Sequence, residues 1–250
     1  MKKLSHLSLW CKWKRPSSVP NSNTWHRFTT KPKDGKEYKI KIMDLTPDRF
    51  AECMELTKNY FCPQEPLNLS SKLVEDEISF HNELKIQNAV LQQCASIIAV
   101  LDEDVSKPTI VGMLKLLVSS KEDDPMPNIP GDVIQKKHKL IKHLKRNHSP
   151  FEIFGADKVI GDYGLLVKSE YNGLGIGYHM LQTIEKVAKA FHIEQCAMVC
   201  SNIRSQVMAE KLGYKTLNEI VYDEYKDDQG RVVFPVEGTK SVKYMAIEFV

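Results

Sequence analysis

Two features that would indicate a membrane or metal-binding protein are missing from this sequence. The 250 residues contain no run of about 18 apolar residues, so we expect no membrane span. The six cysteines form no Cys-x-x-Cys pair, and none has a histidine at zinc-ligand spacing, so we expect no metal. The formal net charge of +3 is too small to indicate a nucleic-acid partner by itself. The cysteine pattern favours a reducing, cytoplasmic environment. The oligomeric state stays open, and we favour a monomer.

Acidic residues are absent from the beginning of the chain. Met1 to Lys33 contains eight Lys or Arg residues and no Asp or Glu. This composition is typical of a disordered or loosely attached extension, and it also has features of an organelle transit peptide. We favour the extension, assign it residues 1–35, and expect one folded domain over residues 36–250. Organelle targeting stays an open alternative.

The rest of the sequence alternates between strand and helix patterns, which indicates an α/β fold. The predicted strands are 38–43, 94–101, 109–118, 162–168, 195–200, 217–222 and 242–249. The predicted helices run from 46 to about 60, 71–81, 133–144, 176–191 and 203–212. The helix at 133–144 has a basic face, which is either a solvated surface or an electrostatic guide for an anionic cofactor.

Three glycines, at 173, 175 and 177, separate a predicted strand from an amphipathic helix. The first backbone N–H groups of a helix have no intrahelical partner and lie at the positive end of its dipole, so such a turn can bind phosphate. The Rossmann pattern fails because Tyr178 occupies its third glycine position, and the P-loop pattern fails because Gly177 precedes Tyr-His. A phosphate site of another type and a plain tight turn both remain open.

The surroundings of this turn resemble the acyl-CoA signature of the GNAT acetyltransferases. Asn172 to Gly177 resembles Gln/Arg-x-x-Gly-x-Gly/Ala, with Asn in place of Gln or Arg, and Asn202 with Gly213-Tyr214 resembles the family's second segment. The resemblance implies a mixed, mostly antiparallel central sheet with helices on both faces, a splayed cleft, and acetyl-CoA as cosubstrate. It assigns to acetyl-CoA the residues Leu165, Leu166, Val167, Asn172, Gly173, Leu174, Gly175, Ile176, Gly177, Tyr178 and Asn202.

A narrower resemblance is carried by Tyr60 to Leu67, which is similar to the Phe-Phe-x-Asp-Glu-Pro-Leu segment of insect-type arylalkylamine N-acetyltransferases. It implies that Glu65 is the general base and that Ser201 and Ser205 act with it. A base is chemically necessary, since a protonated amine cannot attack a thioester. Helix capping is the alternative role for Ser201. Ala209 occupies the position where many GNAT enzymes have a tyrosine acid.

These observations predict an acetyl-CoA-dependent N-acetyltransferase that acts on a small arylalkylamine. Three alternatives stay open at this point. They are a protein or peptide N-acetyltransferase, a non-catalytic acyl-CoA-binding protein, and an interaction module whose glycines only make a turn.

Overall fold

The computed structural model describes residues 10–31, 35 and 37–249, and its centre is a mixed eight-stranded sheet. The strand order is β1-β2-β3-β4-β5-β6-β8-β7, and neighbouring strands are antiparallel except for the parallel pair β5 and β6. The strands are β1 (Thr24–Thr30), β2 (Tyr38–Asp44), β3 (Ile97–Leu101), β4 (Ile110–Ser120), β5 (Lys158–Val167), β6 (Gln195–Cys200), β7 (Lys215–Val221) and β8 (Ser241–Glu248).

Helices cover both faces of this sheet. They are α1 (Phe50–Leu56), α2 (Cys62–Gln64), α3 (Pro66–Ser70), α4 (Glu77–Leu91), α5 (Asp132–Lys145), α6 (Pro150–Ile153), α7 (Ile176–Ala190) and α8 (Ile203–Lys211). Among the described residues, no helix is long and apolar enough to cross a membrane. The α/β fold with a mostly antiparallel sheet, predicted from the sequence, is confirmed.

The two faces are separated by the alternation of side chains along each strand. In β3, Ile97 and Ala99 pack in the core cluster that contains the apolar stripe of α7. Ile98 and Val100 point the other way and pack with residues of α1 and α4. Because β3 is covered on both faces, its sequence is a continuous apolar run. Cys196 and Cys200 on β6 are buried core residues, as predicted.

A bulge in β5 opens the sheet. Lys115 on β4 pairs with Gly164, whereas the next residue of β4 pairs with Asp162, so Tyr163 is the extra residue. Gly164 has φ +139°, and a Cβ atom there would lie 2.7 Å from the Phe61 ring, so glycine is required. Beyond the bulge β5 leaves β6, and within the described structure one pair, Ile160 with Cys196, joins the two strands.

A buried ion pair fastens the N-terminal segment to the sheet. Arg15 donates to both carboxylate oxygens of Asp44 at 3.2 and 2.8 Å, and the two side chains are 8% and 1% exposed. The Asp44 carboxylate also accepts from Trp25 Nε1 and from the Asn23 backbone, both at 2.8 Å. The guanidinium of Arg15 lies 5.0 Å from the centre of the Phe191 ring. Residues far outside the predicted domain boundary therefore complete its core.

The structure differs from the sequence-based expectation in the N-terminal segment and in two helices. The helix predicted from 46 to about 60 is α-helical only over Phe50–Leu56. Thr24–Thr30, inside the predicted extension 1–35, forms edge strand β1 against β2, and residues 1–9 lie outside the described residues. The helix predicted at 71–81 instead begins at Glu77 and continues to Leu91. The helix starts later because Lys72 adopts φ +57°, which interrupts the helical backbone geometry. Asp76 then caps the helix by accepting from Ser79 N at 2.9 Å.

We expect Arg15→Met to lower the free energy of unfolding by about 3–5 kcal/mol, because it leaves the buried Asp44 carboxylate without its countercharge. Urea denaturation measures this loss. The matched control is Arg27→Met, which removes a cation from the exposed pair with Asp102 and should cost less than about 1 kcal/mol. Equal losses in the two variants would contradict the structural role of Arg15.

Candidate active site

A cleft of about 1460 Å³ opens where β5 departs from β6. Ligand pockets typically measure about 300–1,000 Å³, so this cleft has room for more than one small molecule. Its walls come from the glycine turn before α7, the segment around Glu65, and helices α4, α5 and α8. Trp10 of the N-terminal segment also borders it, which the sequence analysis did not anticipate.

The glycine turn forms one end of the cleft. Gly175 is the residue before the first turn of α7 and has φ +75°, and Gly173 has φ +81°. A Cβ atom at Gly175 would meet only His179 Cδ2, at 3.7 Å, so backbone conformation, and not crowding, accounts for the glycine. Helix α7 has 15 residues, long enough for a positive N-terminal end, and no side chain caps it.

The residues predicted to hold acetyl-CoA meet in this cleft, with one exception. Those that border it are Leu165, Leu166, Val167, Asn172, Gly173, Gly175, Ile176, Gly177, Tyr178 and Asn202. Leu174 does not border it and packs instead against the core cluster of α7. The reason is local geometry, because the left-handed residues on either side of Leu174 turn its side chain inward.

Glu65 lies on the opposite wall, in the turn between α2 and α3. The preceding stretch, residues 57–61, is a π-helix, a geometry that often occurs at functional sites. Glu65 caps α3, because its Oε2 accepts from Asn68 N at 2.8 Å. One carboxylate oxygen is thereby fixed, and the half-buried side chain borders the cleft.

Ser201 and Ser205 border the cleft at the start of α8. Asn202 is the N-cap residue, since its Oδ1 accepts from Ser205 N at 2.9 Å, so the alternative capping role of Ser201 is wrong. The Ser205 hydroxyl donates to Asn202 O at 2.8 Å, and buried Tyr222 donates from its hydroxyl to Ser201 O at 2.7 Å. The pKa of Tyr222 is raised first by burial and then by the charge of Glu65.

A chain of buried polar groups connects Glu65 to helices α4 and α5. Lys137 Nζ donates to Glu83 Oε2 at 2.8 Å and to Asn68 Oδ1 at 3.0 Å, and Glu83 Oε1 accepts from Gln87 Nε2 at 2.7 Å. Burial is the largest influence and opposes ionisation of Glu83, but the charge of Lys137, the hydrogen bonds from Lys137 and Gln87 and the charge of Lys115 together lower the pKa of Glu83. The basic face predicted for this helix is exposed at Lys136 and Lys139, whereas Lys137 is turned inward.

Sequence reasoning missed the place of several charged residues in the cleft. Glu83 was assigned no role, Lys137 was placed only on the basic face of its helix, and Asp162 was assigned only to a strand. Burial raises the pKa of Asp162 to about 6, although its carboxylate accepts from Gly164 N and lies near the cation of Lys115. A charged residue within an otherwise apolar strand pattern is a signal that could have identified Asp162.

The chain matches the model of the Acetyltransferase (GNAT) family over residues 68–214. Its fold is similar to that of a protein assigned as arylalkylamine N-acetyltransferase 7 from the mosquito Aedes aegypti, with a TM-score of 0.85 and 24% identity over 95% of this chain and 99% of that one. Arylalkylamine N-acetyltransferase 2 of the same mosquito gives a TM-score of 0.74 and 21% identity over 84% of this chain and 99% of that one.

A Drosophila melanogaster polyamine N-acetyltransferase, which forms N-acetylagmatine, gives a TM-score of 0.68 and 13% identity over 84% of this chain and all of that one. At these identities the solved structures establish the shared fold. The family match covers more than half of the chain and includes the glycine turn and the open edge of β5. The chain therefore belongs to the GNAT acetyltransferase family.

Proposed function

We propose that this protein is an acetyl-CoA-dependent N-acetyltransferase that acts on a small arylalkylamine. The observation that carries the proposal is that Glu65 and the glycine turn before α7 border one continuous cleft. A carboxylate that can bind a cationic amine thus borders the same cleft as a helix N-terminus that can bind an anion. The similar folds of mosquito arylalkylamine enzymes and of the fly polyamine enzyme support a small amine as acceptor.

The residues present fit acetyl-CoA. Backbone N–H groups at the start of α7 suit the pyrophosphate, and the glycines leave them open to it. Beyond the bulge, Leu165 to Val167 have β4 on one side and the cleft on the other. None of the described strands pairs with this edge of β5, so it can pair with the amide groups of the pantetheine arm. When bound there, acetyl-CoA supplies the acyl carbon for transfer.

Residues of this chain then remove the proton of the amine. Glu65 Oε2 accepts a hydrogen bond from the backbone N–H of Asn68. The other carboxylate oxygen, Oε1, is therefore left to remove a proton from the bound amine, directly or through water. Backbone N–H groups near Val167 stabilise the charge that develops on the carbonyl oxygen. No cysteine takes part, since burial raises the pKa of the Cys196 and Cys200 thiols to about 12.

Ser201 and Ser205 have different parts in the proposal. The Ser205 hydroxyl already donates within α8, so its role is to support the Asn202 cap. Ser201 borders the cleft, and we assign its hydroxyl to hold the leaving sulfur or a water beside it. This assignment gives the site a hydroxyl where Ala209 replaces the tyrosine of other family members.

The first test is turnover of acetyl-CoA with a panel of aryl, polyamine and guanidino amines and peptides, read by the mass of the acetylated product. We expect acetylation of an arylalkylamine. Acetylation of peptides alone would replace the proposal with protein N-acetylation. Binding of acetyl-CoA without turnover of any acceptor would identify a non-catalytic binding protein.

We expect Glu65→Gln to lower kcat/KM for the amine about 10²–10⁴-fold, the usual contribution of a general base. The Gln carbonyl can still accept from Asn68 N, so the fold and acetyl-CoA affinity should be kept. Glu55→Gln, which changes an exposed glutamate on α1, is the control. Full activity of Glu65→Gln between pH 6 and 9 would rule out this base.

We expect Ser201→Ala to lower kcat at least about tenfold, as for loss of a hydrogen bond to a charged group. Ser205→Ala should stay within about threefold, because its hydroxyl is already committed to Asn202 O. Steady-state kinetics at saturating acetyl-CoA measures both. The reverse order of effects would transfer the assigned role to Ser205.

We expect Gly175→Val to weaken acetyl-CoA binding at least about tenfold, since a β-branched residue in the left-handed region costs about 1–2 kcal/mol and displaces the N–H groups. Isothermal titration calorimetry measures the affinity. Gly155→Val is a matched control, because Gly155 also has positive φ with open space around it but lies outside the cleft. Unchanged affinity in Gly175→Val would mean that the phosphates bind elsewhere.

A further inference from the structure

Gln87 has a buried hydrogen-bond acceptor that the described residues do not satisfy. The residue lies on α4, is 2% exposed and borders the cleft, and its Oε1 has no hydrogen-bond partner in the described structure. An unsatisfied buried acceptor costs about 1–3 kcal/mol, and native structures keep few of them. Because Gln87 borders a ligand cleft, a ligand group that donates to this oxygen would remove the cost.

The orientation of the Gln87 amide is fixed by its neighbours. Its Nε2 donates to Glu83 Oε1 at 2.7 Å, and that carboxylate can only accept while it is ionised. Lys137 keeps it ionised through the 2.8 Å ion pair. Rotating the amide by 180° would place two acceptors against each other. The Oε1 atom is therefore held as a free acceptor.

Two other buried side-chain atoms in the described structure also lack a partner with hydrogen-bond geometry, Asn68 Nδ2 and the Tyr214 hydroxyl. Neither residue borders the cleft. The Tyr214 hydroxyl lies beside the Cys196 thiol, on the opposite face of the sheet. Of these three residues in the described structure, Gln87 is the one that borders the cleft.

Part of the wall near Gln87 is apolar and aromatic. Next to it on α4, Ile86 packs in a cluster with Trp10, Met126 and Tyr163, and the last three border the cleft. This apolar surface beside a fixed acceptor suits an aromatic or alkyl group that carries a hydrogen-bond donor. Because Glu83, Lys137 and Asn68 stand between Gln87 and Glu65, this donor lies away from the reacting nitrogen.

We propose that Gln87 Oε1 accepts a hydrogen bond from a hydroxyl or N–H group at the far end of the amine substrate. Gln87 thereby selects amines with such a donor over purely hydrocarbon amines. This subsite rests on the proposed N-acetyltransferase function and narrows its substrate class. Sites built around a hydrogen bond discriminate strongly against analogues that lack the group, since the buried partner is then left unpaired.

Two variants test the acceptor separately from the bond to Glu83. Gln87→Met removes both the acceptor and the donor, whereas Gln87→Lys keeps a donor for Glu83 but accepts nothing. For each protein, kcat/KM is measured with β-phenethylamine, which has no second donor, and with tyramine, tryptamine and agmatine. Gln135→Met is the control, because Gln135 borders the same cleft but donates to Ile129 O at 3.3 Å.

We expect the parent to prefer at least one donor-bearing amine over β-phenethylamine by about tenfold or more. Both Gln87 variants should lower this preference at least about tenfold, through a loss of kcat/KM for the donor-bearing amine. Gln135→Met should keep the preference. A parent without preference, or a preference kept in both variants, would overturn the subsite. An effect in Gln87→Met alone would assign it to Glu83 and equally overturn the acceptor role.

If the parent acetylates no amine, the proposed function is wrong, and the subsite is then tested by measuring amine binding. The melting temperature of the CoA complex is measured with tyramine and with β-phenethylamine. A larger increase with tyramine in the parent, lost in both Gln87 variants, supports the subsite. Equal increases in parent and variants reject it.

Discussion

The arrangement of this molecule depends on the point at which β5 stops pairing with β6. A parallel pair normally continues along both strands, but the extra residue at Tyr163 and the conformation of Gly164 turn β5 away. Beyond the bulge, the backbone of β5 borders the cleft and does not pair with β6 in the described structure. Everything assigned to acetyl-CoA lies beyond that point, and the helix after the strand directs its N-terminal end into the same opening.

The opposite wall is organised by charge. Helices α4 and α5 and the short α3 come from separate parts of the chain, and the Glu83–Lys137 pair with Asn68 joins them below Glu65. Buried pairs of this kind contribute little net stability, but they are demanding about geometry because an unpaired member is expensive. The pair therefore fixes the relative positions of these helices and of Glu65 more than it strengthens the fold.

Local patterns in the sequence predicted most elements of the second half of the chain, and the reasons are physical. The glycine turn, the apolar stripe of α7 and the Asn202 cap are each determined by a few consecutive residues. Lys137 could not be distinguished from its exposed neighbour Lys136, since both occur in one basic run and only the packing of α5 on α4 separates them. Gln87 gave no signal either, because a polar residue on a helix is usually exposed, and its burial depends on distant contacts.

The N-terminal segment has a consequence for how this family can vary. Arg15 anchors the segment through Asp44, and Trp10 then forms part of the wall opposite the acetyl-CoA side. The segment lies outside the residues matched by the family model, so the acyl-donor half of the site is built without it. Substitutions at the end of this segment can change the shape of the cleft wall at Trp10 without altering the residues of the glycine turn. One wall of the cleft thus depends on a stretch of sequence that the family model does not cover.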